Sequence, residues 1–275
     1  MHNQSIYDSA ERGVLALDEL REVFTYRNLL FQLIRRDVLT RYKRSVLGVA
    51  WTMLNPLGTM LILSIVFSRA FGQGITYAAY VLSGLLVWNF FSQTTNAAIV
   101  HLIWGEGLFK RIYVPRTVFA LSAVGVGLVN LVLTLVPLLF VMLITGVPLR
   151  WTILLAPLPV LFLALFSLGM GLLVSAWAVY FADVAEMYQV AMVAWMYLSP
   201  IVYPKEYLLQ LDTWGVWIAR LNPMYHLVTL FRAVVYEGVL PEVGQFMLAG
   251  GIAVGMALIG WLVFTRQADE FSYRL

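Results

Sequence analysis

The side chains able to do covalent or acid–base chemistry are few and scattered. Histidine occurs only at His2, His101 and His226, far apart and away from any carboxylate cluster, and cysteine is absent. A bound metal or a nucleophile–His–acid triad has no constellation to stand on. Disulfides, thiolate metal sites and a Cys nucleophile are excluded. No G-x-x-x-x-G-K-[ST], H-E-x-x-H or G-x-S-x-G occurs, so the chain has no phosphate-cradling loop of its own. Catalytic residues, metal ligands and cofactors are therefore expected to be none within this chain. What remains is cationic and aromatic. Arg35, Arg36, Arg41, Lys43 and Arg44 form a basic cluster suited to anionic lipid headgroups. Nine Trp, 14 Tyr and 16 Phe supply uncharged stacking surfaces.

These residues sit in a chain of 275 residues that is 61% hydrophobic and 12% charged, with mean hydropathy +0.82. A soluble domain carries about 25% charged residues and could not hide this much apolar surface. A soluble enzyme, a disordered tail and a fibrous protein are excluded. The charge pattern says more than its total. Charge-free runs cover 45–68, 70–105, 117–149, 151–182, 187–204 and 243–265. About 20 helical residues cross a bilayer, so these runs predict six transmembrane helices, with 187–204 at the short end. Eight would follow if 205–242 crossed as well. Continuous rather than alternating apolar runs favour helices over a barrel.

An even count puts both termini on one side. Of 18 Lys and Arg, 13 fall in 1–44, 106–116 and 266–275. The positive-inside rule then places both termini in the cytoplasm. Asp8, Glu11, Asp18 and Glu19 interrupt the first twenty residues, which argues against a signal peptide. The pI near 9.1 reflects basic residues beside apolar runs and implies no nucleic acid.

Residues 15–45 read as a basic amphipathic helix in the inner headgroup layer, with Leu30, Ile34, Val38 and Tyr42 every four residues. The loop 104–117 places Glu106, Lys110, Arg111 and Arg116 around Phe109, Tyr113 and Pro115, a plausible docking surface. A second inner loop carries Asp183 and Glu186. Segment 204–242 is too polar for a clean span and too apolar for a free loop. Two short amphipathic helices at or dipping into the outer face fit it. Asn222 is the expected N-cap, Pro223 the first helical residue and Gly238 the end. Pro56, Pro137, Pro157, Pro159 and Pro200 are read as kinks near or within spans. Gly251-x-x-x-Gly255 offers a close helix approach in the last span. Trp51, Trp88, Phe90, Phe91, Trp195 and Tyr197 lie deep or cluster, and could face sugar rings in a channel. Runs long enough to span are available with no Asp, Glu, Lys or Arg inside them, so neither ion coupling nor catalysis within the membrane is evident.

Four stretches, in order, carry a family resemblance. They are Arg36-Asp37 with Arg41–Trp51 and Pro56; Phe109-Lys110-Arg111 with Val114-Pro115-Arg116; Phe181–Val184 followed by Ser199–Tyr203; and Leu221–Tyr225 with Phe231-Arg232. Together they resemble the permease subunits of ATP-binding-cassette exporters of polysaccharides, the O-antigen, capsule and teichoic-acid type. One departure is Ala182, where that family often has Arg. The resemblance implies a single all-α permease domain over 1–275. Residues 1–44 would be a cytoplasmic segment with the interface helix, 45–265 the six-span bundle and 266–275 a cytoplasmic tail. It implies a homodimer bound by two ATPase subunits that hold ATP and Mg. Glu106, Phe109, Lys110, Arg111, Tyr113, Pro115, Arg116, Asp183 and Glu186 would meet those subunits. The cargo would be a glycan on undecaprenyl diphosphate, met at the inner face by Arg36, Arg41, Lys43 and Arg44. Spans one and five of the two copies would line the channel. Trp214, Asn222, Pro223, Tyr225 and Arg232 would shape an outer gate. The expected location is the bacterial inner membrane. Other readings are a permease for a drug or smaller lipid, and, more remotely, a membrane enzyme acting on a carrier lipid.

Overall fold

The computed structural model describes residues 15–43, 46–71, 74–104, 115–181, 183–210 and 213–267, and every regular element among them is helical. The predicted N-terminal helix is two: α1, Leu15–Thr25, and α2, Arg27–Tyr42. They meet at Tyr26, whose ψ of 16° leaves the helical region. α2 does not lie alone on a membrane surface. Leu33 is buried against Val118 and Phe119, and Ile34 reaches Gly125. The anchoring position is thus Leu33, one residue off the Leu30–Ile34–Val38 row, which is only half-buried.

The turn into the first long helix passes through Gly48, whose φ of +47° is a left-handed conformation that L side chains resist. This explains the glycine in the opening motif. The long helices follow: α3, Ala50–Phe67; α4, Tyr77–Trp104; α5, Thr117–Ile144; and α6, Pro157–Tyr180. Together with the last helix, they give five segments long and apolar enough to cross a membrane. α4 is the most enclosed of them and α3 the least. Pro56 and Pro137 lie inside helices, as expected. Pro157 and Pro159 instead open α6, where a missing N–H costs nothing.

The 187–204 run folds differently from its composition. Its helix, α7, is Val184–Leu198, 15 residues or about 22 Å. It stops at a tight turn in which the Ile201 N–H donates to the Ser199 carbonyl at 2.7 Å. Three short helices follow: α8, Lys205–Gln210; α9, Thr213–Leu221; and α10, Pro223–Arg232. Asn222 caps α10 as expected: its side chain accepts from the Met224 N–H at 3.0 Å. α10 continues into a wider π turn over 233–237, ended by Gly238 at φ +68°. Far from being a surface helix, α10 is buried along most of its length, from Met224 to Arg232. An irregular backbone survives at membrane depth when protein encloses it.

The last helix, α11, is Val243–Gln267 and packs along α6. A Cβ on Gly169 would strike the α11 backbone at Met256, and one on Gly260 would strike the backbone at Gly169. Gly251 and Gly255 meet nothing, so the close approach uses a different pair of glycines from the one the motif suggested.

Candidate functional site

An open groove of about 700 Å³ runs between α3, α4 and α5. One mouth, at the start of α3 and the end of α4, is Gly48 and His101; its walls carry Trp51, Asn55 and Thr59 from α3, and Asn130 and Thr134 from α5. The floor is α4, with Asn89, Phe90, Gln93 and Asn96. Asn89, Gln93 and Asn96 are spaced i, i+4, i+7 and share one helical stripe. Among the described residues, the groove lining contains no Asp, Glu, Lys or Arg. These amides escaped the sequence reading, which looked for ionisable groups, although their spacing was visible in it.

At this mouth, Arg36 Nη2 lies 2.9 Å from Asp37 Oδ1. Asp37 Oδ2 sits 3.6 Å from His101 Nε2, an ion-pair distance but too long for a direct hydrogen bond. Arg36-Asp37 therefore ties α2 to the C-terminal end of α4, and Arg36 is a paired cation with an exposed edge. Arg35 and Lys43 are exposed. The Arg41 side chain and all of Arg44 lie outside the described residues.

The aromatic residues divide. Trp51 is 55% exposed and borders the groove, and Phe90 contributes to its floor. Trp88 and Phe91 are buried in a ring cluster with Phe166 and Trp195, at centroid distances of 5.2–5.7 Å from Phe91. Those two pack the protomer and do not face a channel, because α4 turns them away from its open stripe. Trp195 is half-buried, and its Nε1 donates to Asn222 Oδ1 at 2.8 Å. Tyr197 is exposed on α7.

At the N-terminal end of α4, Arg232 is fully enclosed. Its guanidinium lies 3.6 Å above the Tyr80 ring. It donates to Ser83 Oγ, to the Tyr80 hydroxyl, and to the carbonyls of Tyr80, Pro200 and Ile201. Gly84 leaves room for it, since a Cβ there would occupy the place of Arg232 Nη2. Arg232 is a tie rather than a free gating charge. It joins α4, the turn after α7, and α10. Asn222 makes a second tie, with Nδ2 donating to the Leu198 carbonyl and to Ser199 Oγ. Pro223 and Tyr225 are half-buried beside it, whereas Trp214 on α9 is 79% exposed. Lys205 pairs with Glu237 at 3.4 Å beside Arg232.

Of the expected docking residues, Glu106, Phe109, Lys110, Arg111 and Tyr113 lie outside the described residues. Pro115 is buried and Arg116 half-buried at the start of α5, while Asp183 and Glu186 are exposed at the start of α7.

A long-helix bundle with an uncharged groove is what a transport subunit without its own energy source would need. The family model described as ABC-2 type transporter matches residues 28–236. The chain belongs to the ABC-2 type transporter family. It is similar to the O-antigen export system permease protein RfbA of Myxococcus xanthus, 29% identical over 92% of this chain and 97% of that one. It also resembles the protein of the same name from Klebsiella pneumoniae, 24% identical over 89% of this chain and 94% of that one. The polysialic acid transport protein KpsM of Escherichia coli is 24% identical over 76% of this chain and 82% of its own. This ABC-2 chain is a multi-pass membrane protein.

Proposed function

We propose that the chain is the membrane-spanning subunit of an ATP-driven polysaccharide exporter in the bacterial inner membrane. Its cargo is a glycan carried on undecaprenyl diphosphate. It works as a homodimer with two ATPase subunits, which bind ATP and Mg, and performs no catalysis itself. The observation that carries this reading is its similarity, over 92% of its length, to a permease named for O-antigen export, and over 76% to a polysialic acid transport protein. The uncharged groove and the outer ties at Arg232 and Asn222 agree with it.

α7 is the short fifth span of six, completed toward the outer face by the enclosed α10. Both termini then lie in the cytoplasm, and a green fluorescent protein fused after Leu275 fluoresces. The loop around Phe109 and Arg111, with Asp183 and Glu186, docks the ATPase, and the basic residues near Arg36 meet the carrier's diphosphate.

The test is genetic and biochemical together. Deleting the gene should strand lipid-linked glycan on the cytoplasmic side, and the tagged chain should co-purify with a separate ATPase. Normal surface glycan after deletion would favour a drug or smaller-lipid cargo. A transport-competent particle without any ATPase would overturn the reading.

A further inference from the structure

The α4 stripe of Asn89, Gln93 and Asn96 has a peculiarity that its depth makes costly. Asn96 donates to the Ser92 carbonyl at 2.8 Å, but the amides of Asn89 and Gln93 have no partner among the described residues. Asn55, across the groove on α3, is in the same position. A polar group facing hydrocarbon with no partner is expensive, so polar residues within spans face a polar occupant or water.

We propose that this groove is a track for the hydroxyl groups of the glycan chain during transport; it rests on the exporter reading above. The chemistry of the lining selects the occupant. An amide both donates and accepts hydrogen bonds, as a sugar hydroxyl does. With no charge in the lining, the groove is suited neither to a diphosphate nor to a coupling ion. Trp51, 55% exposed, adds flat apolar surface beside the amides, which fits the C–H face of a sugar ring, while the buried Phe90 backs the floor. Several similar, individually weak sites in a row suit a repeating polymer, since movement requires binding that also releases.

A second copy of the chain is the competing occupant, and its exposed helices do not complement the stripe. The outward face of α7 presents Met187, Val190 and Val193, with Glu186, Gln189 and the Tyr197 hydroxyl as its exposed polar groups, and the outward face of α3 presents Ile62, Ile65 and Val66. Such largely apolar faces offer few partners to a row of amides.

The chain has no cysteine, so single-cysteine labelling is unambiguous. Gln93→Cys is tested in membranes holding the permease with its ATPase, with Val254→Cys on the outward face of α11 as the control. The probe is a small anionic methanethiosulfonate reagent. Gln93→Cys should react at least about tenfold faster than Val254→Cys, because the groove is wet and the α11 face is not. That reactivity should fall severalfold when cells make the glycan and the ATPase is arrested with vanadate. Equal rates with and without glycan would overturn the track. So would a disulfide-linked dimer through Gln93→Cys, which would assign the groove to a second copy. A second variant, Asn89→Leu with Gln93→Leu, keeps the helix apolar and should lower export about tenfold while the ATPase complex stays intact. Normal export by that variant overturns the track and leaves the exporter reading standing. Normal surface glycan after deletion of the whole chain overturns the exporter reading itself.

Discussion

Arg232 is where a single substitution tests the architecture most directly. From α10 its guanidinium reaches five oxygens on two other segments, α4 and the turn after α7. Changing it to Met keeps much of the stem and removes every donor. The carbonyls of Pro200 and Ile201 lie in a turn outside any helix, and both would be left buried. Each such loss costs about 1–3 kcal/mol. Loss of the cation over the Tyr80 ring adds about 1–2 kcal/mol. Part of this is returned because a desolvated charge is removed, so the net is about 3–5 kcal/mol, the range for breaking a buried charged contact. At about 2–4 °C per kcal/mol for a chain of this size, the purified complex should melt roughly 10 °C lower. Arg232→Lys should fall between, because an ammonium keeps the charge but not the planar fork. Gly84→Ala attacks the same contact from α4, so the double variant should cost less than the sum of the two. Thermal unfolding of the detergent-purified complex reads all four proteins. A melting point for Arg232→Met within about 2 °C of the parent would refute the role given to this side chain.

The glycine contacts make a paired prediction. Gly169→Val should split α6 from α11 and abolish a stably folded yield, whereas Gly255→Val, which meets open space, should leave yield and melting unchanged. Asn222→Ala removes the α10 cap, the Trp195 bond and both Nδ2 donations, at about 2 kcal/mol or more, and Asn222→Asp should not rescue it, because a buried carboxylate oxygen would then face the Leu198 carbonyl; a melting point for Asn222→Asp equal to the parent would refute the donor role. Glu19 gives a pH signature. Burial against Thr117 pushes its carboxyl above 4.5, outweighing the Thr117 hydrogen bonds that pull it down. The folded state therefore holds this proton more tightly than the unfolded one. The contribution of Glu19 to docking is fullest below 4.5 and weakens as pH rises through the folded pKa. Protection of α1 amides from hydrogen exchange, corrected for intrinsic rates, should fall with rising pH, and Glu19→Gln should flatten that dependence. An unchanged slope in the variant would show that another group is responsible.

Much of the fold could be read from the chain because the signals involved are local. Long apolar runs between charges locate α3, α4, α5, α6 and α11, since a spanning helix must satisfy its own backbone and shed its charges. The Asn222-Pro223 start of α10 was legible because capping depends on adjacent residues. What could not be read depends on which neighbour arrives. Leu33 rather than the Leu30 row anchors α2 because α5 approaches from that side. Gly169 and Gly260 rather than Gly251 and Gly255 make the close contact because only those two face across the α6–α11 seam. Trp88 and Phe91 were grouped with Phe90 by proximity along the chain. One helical turn separates three directions, and two of these rings point into the protein.

The amide stripe belongs between those cases. Helix insertion is governed mainly by charges and aliphatic side chains, so a run can carry Asn89, Gln93 and Asn96 and still qualify as a span. Hydropathy averages the three into their apolar surroundings, while their common face is lost. Placing them on α4 restores the direction. The same scarcity of charge that first marks the chain as membranous then acquires a second consequence. A groove with charged walls would hold small ions tightly. A purely apolar one would leave every sugar hydroxyl unpaired. Neutral amides beside aromatic rings avoid both penalties, which is why the polar side chains lining this groove are its Asn, Gln, Thr and His residues rather than acids or bases.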